Sequence, residues 1–243
     1  MITLCKEWHE LEFLPSDAFA ARITALAITY GFEQNFALFW VQKNGEEPVA
    51  AISRVDGSMT LCCTENADFE ELAAFVNAVG YSALIGNEES VSKLGFTASK
   101  SSFIVEYQGE NTPDESGISR DCDKKKVYDL LCDCGFEMGD YGAFLADYCS
   151  RLNKGTARLA AFEENELLAC ASALFIGDKS VLLGAVATRK SARGRGLASK
   201  LVTALAEGEK DKKVFLFCRN DGLLDFYKKI GFVCVGRWTE INN

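Results

Sequence analysis

The sequence is poor in several features on which common functions depend. It holds one histidine, His9, which precedes any recognisable core and has no obvious serine or cysteine partner. A histidine-based triad would have to use that residue, so His9 reads as an ordinary surface or core side chain. No run approaches the roughly 20 apolar residues that a membrane-spanning helix needs. The opening MITLCKEWHELEFL has no basic stretch leading into an apolar core, so no secretory signal is expected and a cytoplasmic location follows by default. Positive charge is scarce: 26 Lys and Arg stand against 35 Asp and Glu, a net charge of −9. That balance argues against nonspecific nucleic-acid binding, which needs a basic face.

Cysteine is plentiful, with ten in 243 residues, but it is scattered. Cys132 and Cys134 form CxC rather than CxxC, and no second pair lies at zinc-site spacing. Cys62, Cys170, Cys218 and Cys234 fall inside apolar strand-like runs, where a free thiol packs as a small hydrophobe. Reduced thiols and no metal are expected.

The polar stretch from Gln108 to Asp121 has no hydrophobic period and contains Gly109, Pro113 and Gly117, which makes it the linker. It separates residues 1–112 from 113–243. In the second half, Val127, Leu130, Leu131 and Cys134 fall at helical spacing behind Asp121 or Asp123 as a cap. A second helix ends at Gly155. Three strands follow, with turns at Glu164-Asn165 and Gly177-Asp178. Then come a helix, the strand KVFLFCR, the helix DGLLDFYKKIG and a last strand. This ααβββαβαβ order defines a mixed α/β (α+β) domain. The first half repeats the order more faintly, with hairpin turns at Asn44-Gly45 and Asp56-Gly57, and its SKLGF stands where KKIGF stands in the second half.

One segment runs against the acidic balance. VLLGAVATRKSARGRGLASK gathers Arg189, Lys190, Arg193, Arg195 and Lys200 around Gly194 and Gly196, where a strand gives way to a helix. A helix N-terminus leaves backbone N–H groups unpaired and partly positive, and glycines let a ligand approach the main chain closely. The turn is therefore suited to an anion such as a diphosphate. A Walker loop would need GxxxxGK[ST] and a dinucleotide fingerprint GxGxxG; neither is present. RG-type RNA-binding segments are repetitive and disordered, whereas this one continues into an amphipathic helix. The first half reads LCCTENADFEEL at the matching point, with acidic residues that would repel a phosphate.

RGRGLA fits the [QR]xxGx[GA] pattern of the GNAT superfamily of N-acetyltransferases, with Arg193, Gly196 and Ala198 at the defined positions. The preceding VLLGAVAT resembles that family's fourth strand, and NDGLLDFYKKIGF resembles its downstream signature. The chain therefore resembles two GNAT-like acyl-CoA N-acyltransferase domains in tandem. On this reading residues 1–112 are a degenerate copy without the phosphate-binding turn, and 113–243 are the catalytic domain.

The resemblance implies transfer of an acetyl group from acetyl-CoA (coenzyme A) to a small-molecule or peptide amine, without metal, nucleic acid or membrane. Arg193, Gly194, Arg195, Gly196, Leu197 and Ala198 would hold the diphosphate. Val186, Ala187 and Thr188 would pair with the pantetheine arm, and Asn220 would contact the cofactor. Arg195 and Lys190 remain alternatives for the 3′-phosphate. Tyr227 takes the general-acid position, which a phenol near pKa 10 can fill for a thiolate whose conjugate acid is about 8.5. The family often places a glutamate on the fourth strand; Ser180 to Thr188 holds no acid, which leaves the base unassigned. Asp140, Tyr141, Tyr148 and Asp178 lie in segments that could border the acceptor. Two other functions stay open: a non-catalytic acyl-CoA sensor or scaffold, and an aminoacyl or fatty-acyl transferase using both halves. The acidic balance mildly favours a cationic acceptor through steering. Oligomeric state and acceptor identity are not readable.

Overall fold

Hydrophobic alternation along the chain becomes one continuous sheet in the computed structural model, which describes residues 1–242. The strands of the first half are β1 (Ile2–Leu4), β2 (Ala37–Asn44), β3 (Glu47–Val55), β4 (Ser58–Cys63), β5 (Ala83–Asn87) and β6 (Lys100–Tyr107). Those of the second are β7 (Ile118–Ser119), β8 (Arg158–Glu163), β9 (Leu167–Ile176), β10 (Ser180–Thr188), β11 (Lys213–Cys218) and β12 (Phe232–Asn242). The helices are α1 (Ala18–Tyr30), α2 (Phe69–Val79), α3 (Glu88–Ser92), α4 (Lys124–Asp133), α5 (Tyr141–Asn153), α6 (Leu197–Gly208) and α7 (Asp221–Lys228). The repeated order of elements is present in both halves. The β3–β4 hairpin turns at Asp56 and Gly57, which both have positive φ (47° and 84°), as a two-residue hairpin loop of this twist requires.

The sheet runs β1-β2-β3-β4-β5-β12-β6-β11-β10-β9-β8-β7. Its centre is an exchange. β12 lies antiparallel to β5, from Trp238 opposite Asn87 to Asn242 opposite Ala83. β6 lies antiparallel to β11, from Phe215 opposite Glu106 to Cys218 opposite Phe103. β6 and β12 pair with each other as well. Each half thus sends its final strand into the ladder of the other, and hydrogen bonding crosses the linker-based boundary repeatedly. Separated, either half would expose a long unpaired edge rich in apolar residues. Segments 1–112 and 113–243 produced alone are therefore expected to aggregate, and co-expression to restore a 1:1 particle on size exclusion.

Alternation then sorts side chains to two faces. Val181 and Leu183 of β10 pack with Leu201, Leu205 and Leu224 of α6 and α7. Leu182, between them, packs on the opposite face with Phe19, Ile23 and Leu26 of α1. In the first half Leu61, Leu72, Val76 and Val91 join β4 to α2 and α3. Val127, Leu130 and Leu131 seat α4 against Cys170 and Ala187. Each such buried leucine, isoleucine or valine contributes about 1.5–3 kcal/mol.

Of the four thiols expected in the core, Cys62, Cys170 and Cys218 are buried, but Cys234 is exposed. The register of β12 against β6 shifts between Cys234 and Gly236. The irregularity leaves Val233 and Val235 in solvent beside Cys234, so an apolar strand-like run does not here mean burial.

α1 is joined to the second half by a polar seam. Thr29 and Thr156 share a hydroxyl hydrogen bond of 2.6 Å, and Tyr30 donates to Asp147 at 2.5 Å. Arg151 donates from Nε to Asp147 at 3.1 Å and from Nη1 to the Leu174 carbonyl at 2.6 Å. Its guanidinium lies 4.8 Å from the Phe175 ring centroid, and that of Arg22 lies 5.0 Å from the same centroid. Asp147 thus offsets two cations in a partly dry place. Asp147→Ala is expected to destabilise the protein by about 2 kcal/mol, read as a lower urea midpoint, because it leaves a buried arginine without its carboxylate.

Candidate active site

The site begins where two parallel strands part. β10 and β11 pair only from Ser180–Leu183 against Lys213–Leu216. Beyond Leu183 the register of β10 with β9 shifts between Gly184 and Ala187, and Ala185 takes a positive φ of 50°. That left-handed bulge costs of order 1–3 kcal/mol for a residue with a side chain. It swings Ala185 to Thr188 out of the β11 ladder. A cavity of about 910 Å³ opens in the gap.

Gly184, Ala185, Val186, Ala187 and Thr188 form one wall and Leu216, Phe217, Arg219 and Asn220 the other. Arg193, Gly194, Gly196, Leu197, Ala198 and Ser199 close one end, Phe226 and Tyr227 rise from α7, and Cys134 and Phe136 reach in from the loop after α4. The structure thus brings together every residue singled out in the sequence for the cofactor or the proton except Arg195 and Lys190.

At the end formed by α6, Gly194 and Gly196 have φ of 81° and 76°, which favours glycine. A Cβ on either would meet nothing within 4 Å, so the space in front of the turn is open. Six helices are capped by an Asp or Asn side chain: Asp17, Asp68, Asn87, Asp123, Asp140 and Asn220 each accept from a first-turn N–H. Among the described residues only α6 begins without a side-chain cap. Its first N–H groups stay available, with the positive end of the helix dipole behind them.

The basic residues around the turn differ in role. Arg195 faces away from the cavity and pairs with Glu164 at 2.7 Å. Arg189 is held by Glu166 at 3.2 Å and Asp133 at 3.6 Å, and Lys200 by Asp114 at 2.7 Å. Arg193 donates from Nε to the Thr188 carbonyl at 3.2 Å, tying the turn to the end of β10. Cys134 Sγ donates to the same carbonyl at 3.6 Å. The Thr188 hydroxyl is buried without a partner.

Tyr227 is 4 % exposed and packs edge-on to Phe226 and Phe232. Burial, and secondarily the nearby Cys218 thiol, pushes its phenol well above the usual tyrosine range, with no hydrogen bond contributing. Asn220 caps α7 by accepting from the Leu223 N–H at 3.0 Å while still lining the cavity.

The four residues considered for the acceptor side lie elsewhere. Asp140 caps α5, and Tyr141 packs edge-on to Tyr128. The Tyr148 hydroxyl shares a 2.7 Å hydrogen bond with Ser172, and burial raises its phenol to about 12. The Asp178 N–H donates to Thr24. Sequence reasoning did not single out Cys134, Phe136, Phe217, Arg219 or Phe226. Arg219 and Phe226 adjoin the motif residues Asn220 and Tyr227; the others carry no local signal.

The matching position in the first half is nearly closed. Between the ends of β4 and β5 lies a cavity of about 180 Å³ bordered by Asp17, Phe19, Cys62, Phe69, Asn87 and Lys93. Asp17 accepts from the N–H groups of Phe19 and Ala20 at 2.9 and 2.7 Å and from Cys62 Sγ at 3.5 Å, and burial raises its carboxyl. The start of α2 is satisfied by Asp68, which accepts from Glu71 N–H at 2.9 Å.

Among the described residues no three His, Cys, Asp or Glu side chains gather as a metal site, and no helix is long and apolar enough to cross a membrane.

Residues 124–232 match the acetyltransferase (GNAT) family. An acetyltransferase from the GNAT family of Colwellia psychrerythraea superposes with a TM-score of 0.56 at 14% identity, covering 100% of this chain and 99% of that one. A tandem GNAT protein from the clavulanic acid biosynthesis pathway gives 0.56 at 12%, covering 94% and 89%. A GCN5-related N-acetyltransferase from Sphaerobacter thermophilus gives 0.54 at 13%, covering 93% and 95%. No curated protein matches the chain in sequence. The fold is that of the GNAT acyltransferases, and the similarity to the GNAT acetyltransferase family spans residues 124–232. The class it defines is a transferase, in a family whose members acylate amines from acyl-CoA.

Proposed function

We propose that the protein is an acetyl-CoA-dependent N-acetyltransferase that acts by direct attack of a small-molecule or peptide amine. The observation that carries this reading is the uncapped start of α6, which opens on the same cavity as Tyr227. The amides from Arg193 to Ala198 hold the diphosphate. The released edge of Val186, Ala187 and Thr188 pairs with the amide-bearing arm as an added strand would, and Asn220 closes the far wall. Lys190, which has no carboxylate partner among the described residues, faces the 3′-phosphate; Arg195 is engaged by Glu164.

Coenzyme A supplies the acyl group already activated as a thioester. Tyr227 stabilises the departing sulfur by donating a hydrogen bond to it. Its raised pKa keeps the proton on the phenol through neutral and mildly alkaline pH; full transfer to a thiolate of conjugate pKa about 8.5 is uphill, so the phenol acts by hydrogen bonding and the released thiolate is protonated from solvent. Among the described residues no carboxylate lines the cavity, so the amine delivers its proton to water rather than to a side chain. Holding donor and amine together supplies much of the remaining rate. Residues 1–112 form a degenerate copy whose own cleft is small, and residues 113–243 the catalytic one.

Titration calorimetry with acetyl-CoA and thiol release against an amine panel test the proposal. Saturable uptake with turnover of at least one amine is expected. Uptake without turnover across the panel would make the protein an acyl-CoA sensor, and no uptake would end the reading.

A further inference from the structure

We infer that Arg219 and Phe136 form an anion-accepting gate on the cavity, so that the amine taken by this site carries a carboxylate. The inference rests on the function proposed above and narrows its acceptor. The chain carries 35 acidic residues, yet none lines this cavity among the described residues, whereas Arg193 and Arg219 do. The nearest acids in sequence are engaged or stand outside: Glu137 lies 3.8 Å from Lys100, and Asp133 3.6 Å from Arg189. Asp221 follows Asn220 but does not reach the lining.

The two cations differ. Arg193, before α6, is anchored to the Thr188 carbonyl. Arg219 follows β11 directly on the opposite wall and has no ion pair among the described residues. Its guanidinium lies 5.4 Å from the centroid of the Phe136 ring. A guanidinium held against an aromatic face keeps its in-plane N–H groups free, and those are the groups that grip a carboxylate in two parallel bonds. Phe136 comes from the loop after α4, so the pair bridges the two sides of the cleft. Leu216, Phe217 and Phe226 offer only apolar surface beside it. A purely cationic amine would find no counter-charge here and would be repelled by Arg219. An amino acid or a peptide with a nearby carboxylate would offset that repulsion through its own anion. The steering expected from the net charge of −9 thus ends at the mouth of the cleft.

The donor's phosphates are the other anion that could reach Arg219, and the experiment separates the two. Acetyl-CoA uptake is measured first by calorimetry; its absence sinks the functional reading itself. Thiol release is then compared for matched pairs, each an α-amino acid or dipeptide and its C-terminal amide. A kcat/KM for the acid at least about tenfold above that for the amide is expected. Arg219→Met should bring that ratio towards one through KM for the acid, and Arg219→Lys should keep part of it. The KM for acetyl-CoA should move much less than the KM for the acid in both variants. Amides used as well as acids, or no acid of the panel acetylated by protein that takes up acetyl-CoA, would overturn the inference. So would Arg219→Met raising the KM for acetyl-CoA with the acid-to-amide ratio intact, which would assign Arg219 to the donor. Because Arg219 is exposed, melting temperatures are expected to stay close to the parent and show that the variants are folded.

Discussion

Tyr227→Phe is expected to lower kcat by about 10²–10⁴-fold in thiol-release assays while the KM for acetyl-CoA changes little. The substitution removes one oxygen and keeps the ring against Phe226 and Phe232. No hydrogen bond contributes to the state of that phenol, so its loss costs no internal partner and the variant should melt near the parent. The loss should therefore appear at the departing sulfur. The pH profile carries a second check. Because burial raises the Tyr227 pKa above its ordinary value near 10, its protonated form persists through neutral and mildly alkaline pH. Activity should climb as the amine deprotonates, and a descending limb below about pH 10 is not expected from this tyrosine. A tyrosine variant with full kcat would remove it from the chemistry.

Gly196→Asp is the second large effect. The residue takes a φ of 76°, and a Cβ there meets nothing within 4 Å, so the side chain would enter the space assigned to the diphosphate. The new carboxylate would accept from the free amides of α6, giving that helix the kind of cap the other helices have, and would present negative charge to an anion. Loss of an exposed dipole site plus repulsion amounts to about 2–3 kcal/mol, or roughly 30- to 150-fold in Kd for coenzyme A by calorimetry. The left-handed backbone costs an aspartate about 1 kcal/mol or less, so the melting temperature should fall by only a few degrees. Unchanged uptake would place the phosphate elsewhere.

The glycine-rich turn before α6 and the helix of Tyr227 were legible because each is a local arrangement: glycines, a helix start and an amphipathic period within a few residues. The order of elements was legible for the same reason. What escaped is long-range. Phe136 reaches the cavity from a loop with no motif, and only the packing of α4 on Cys170 and Ala187 carries it there. The opening of the cleft depends on the positive φ of Ala185, an alanine that nothing in the sequence marks as unusual. The exchange of β6 and β12 was illegible because alternation says that a strand has two faces and is silent about its neighbours. Cys234 shows the reverse error: its apolar surroundings read as core, but a register shift in β12 turned them outward.

β6 lies between β12 and β11, so the cleft wall bearing Arg219 and Asn220 is braced by a strand from the lobe whose own cleft is small. On the function proposed here, that lobe does no chemistry of its own and is still indispensable. Inheritance must treat the pair as one piece: a recombination that swaps a single lobe delivers a mismatched brace, and drift in β6 is felt as drift in the working site.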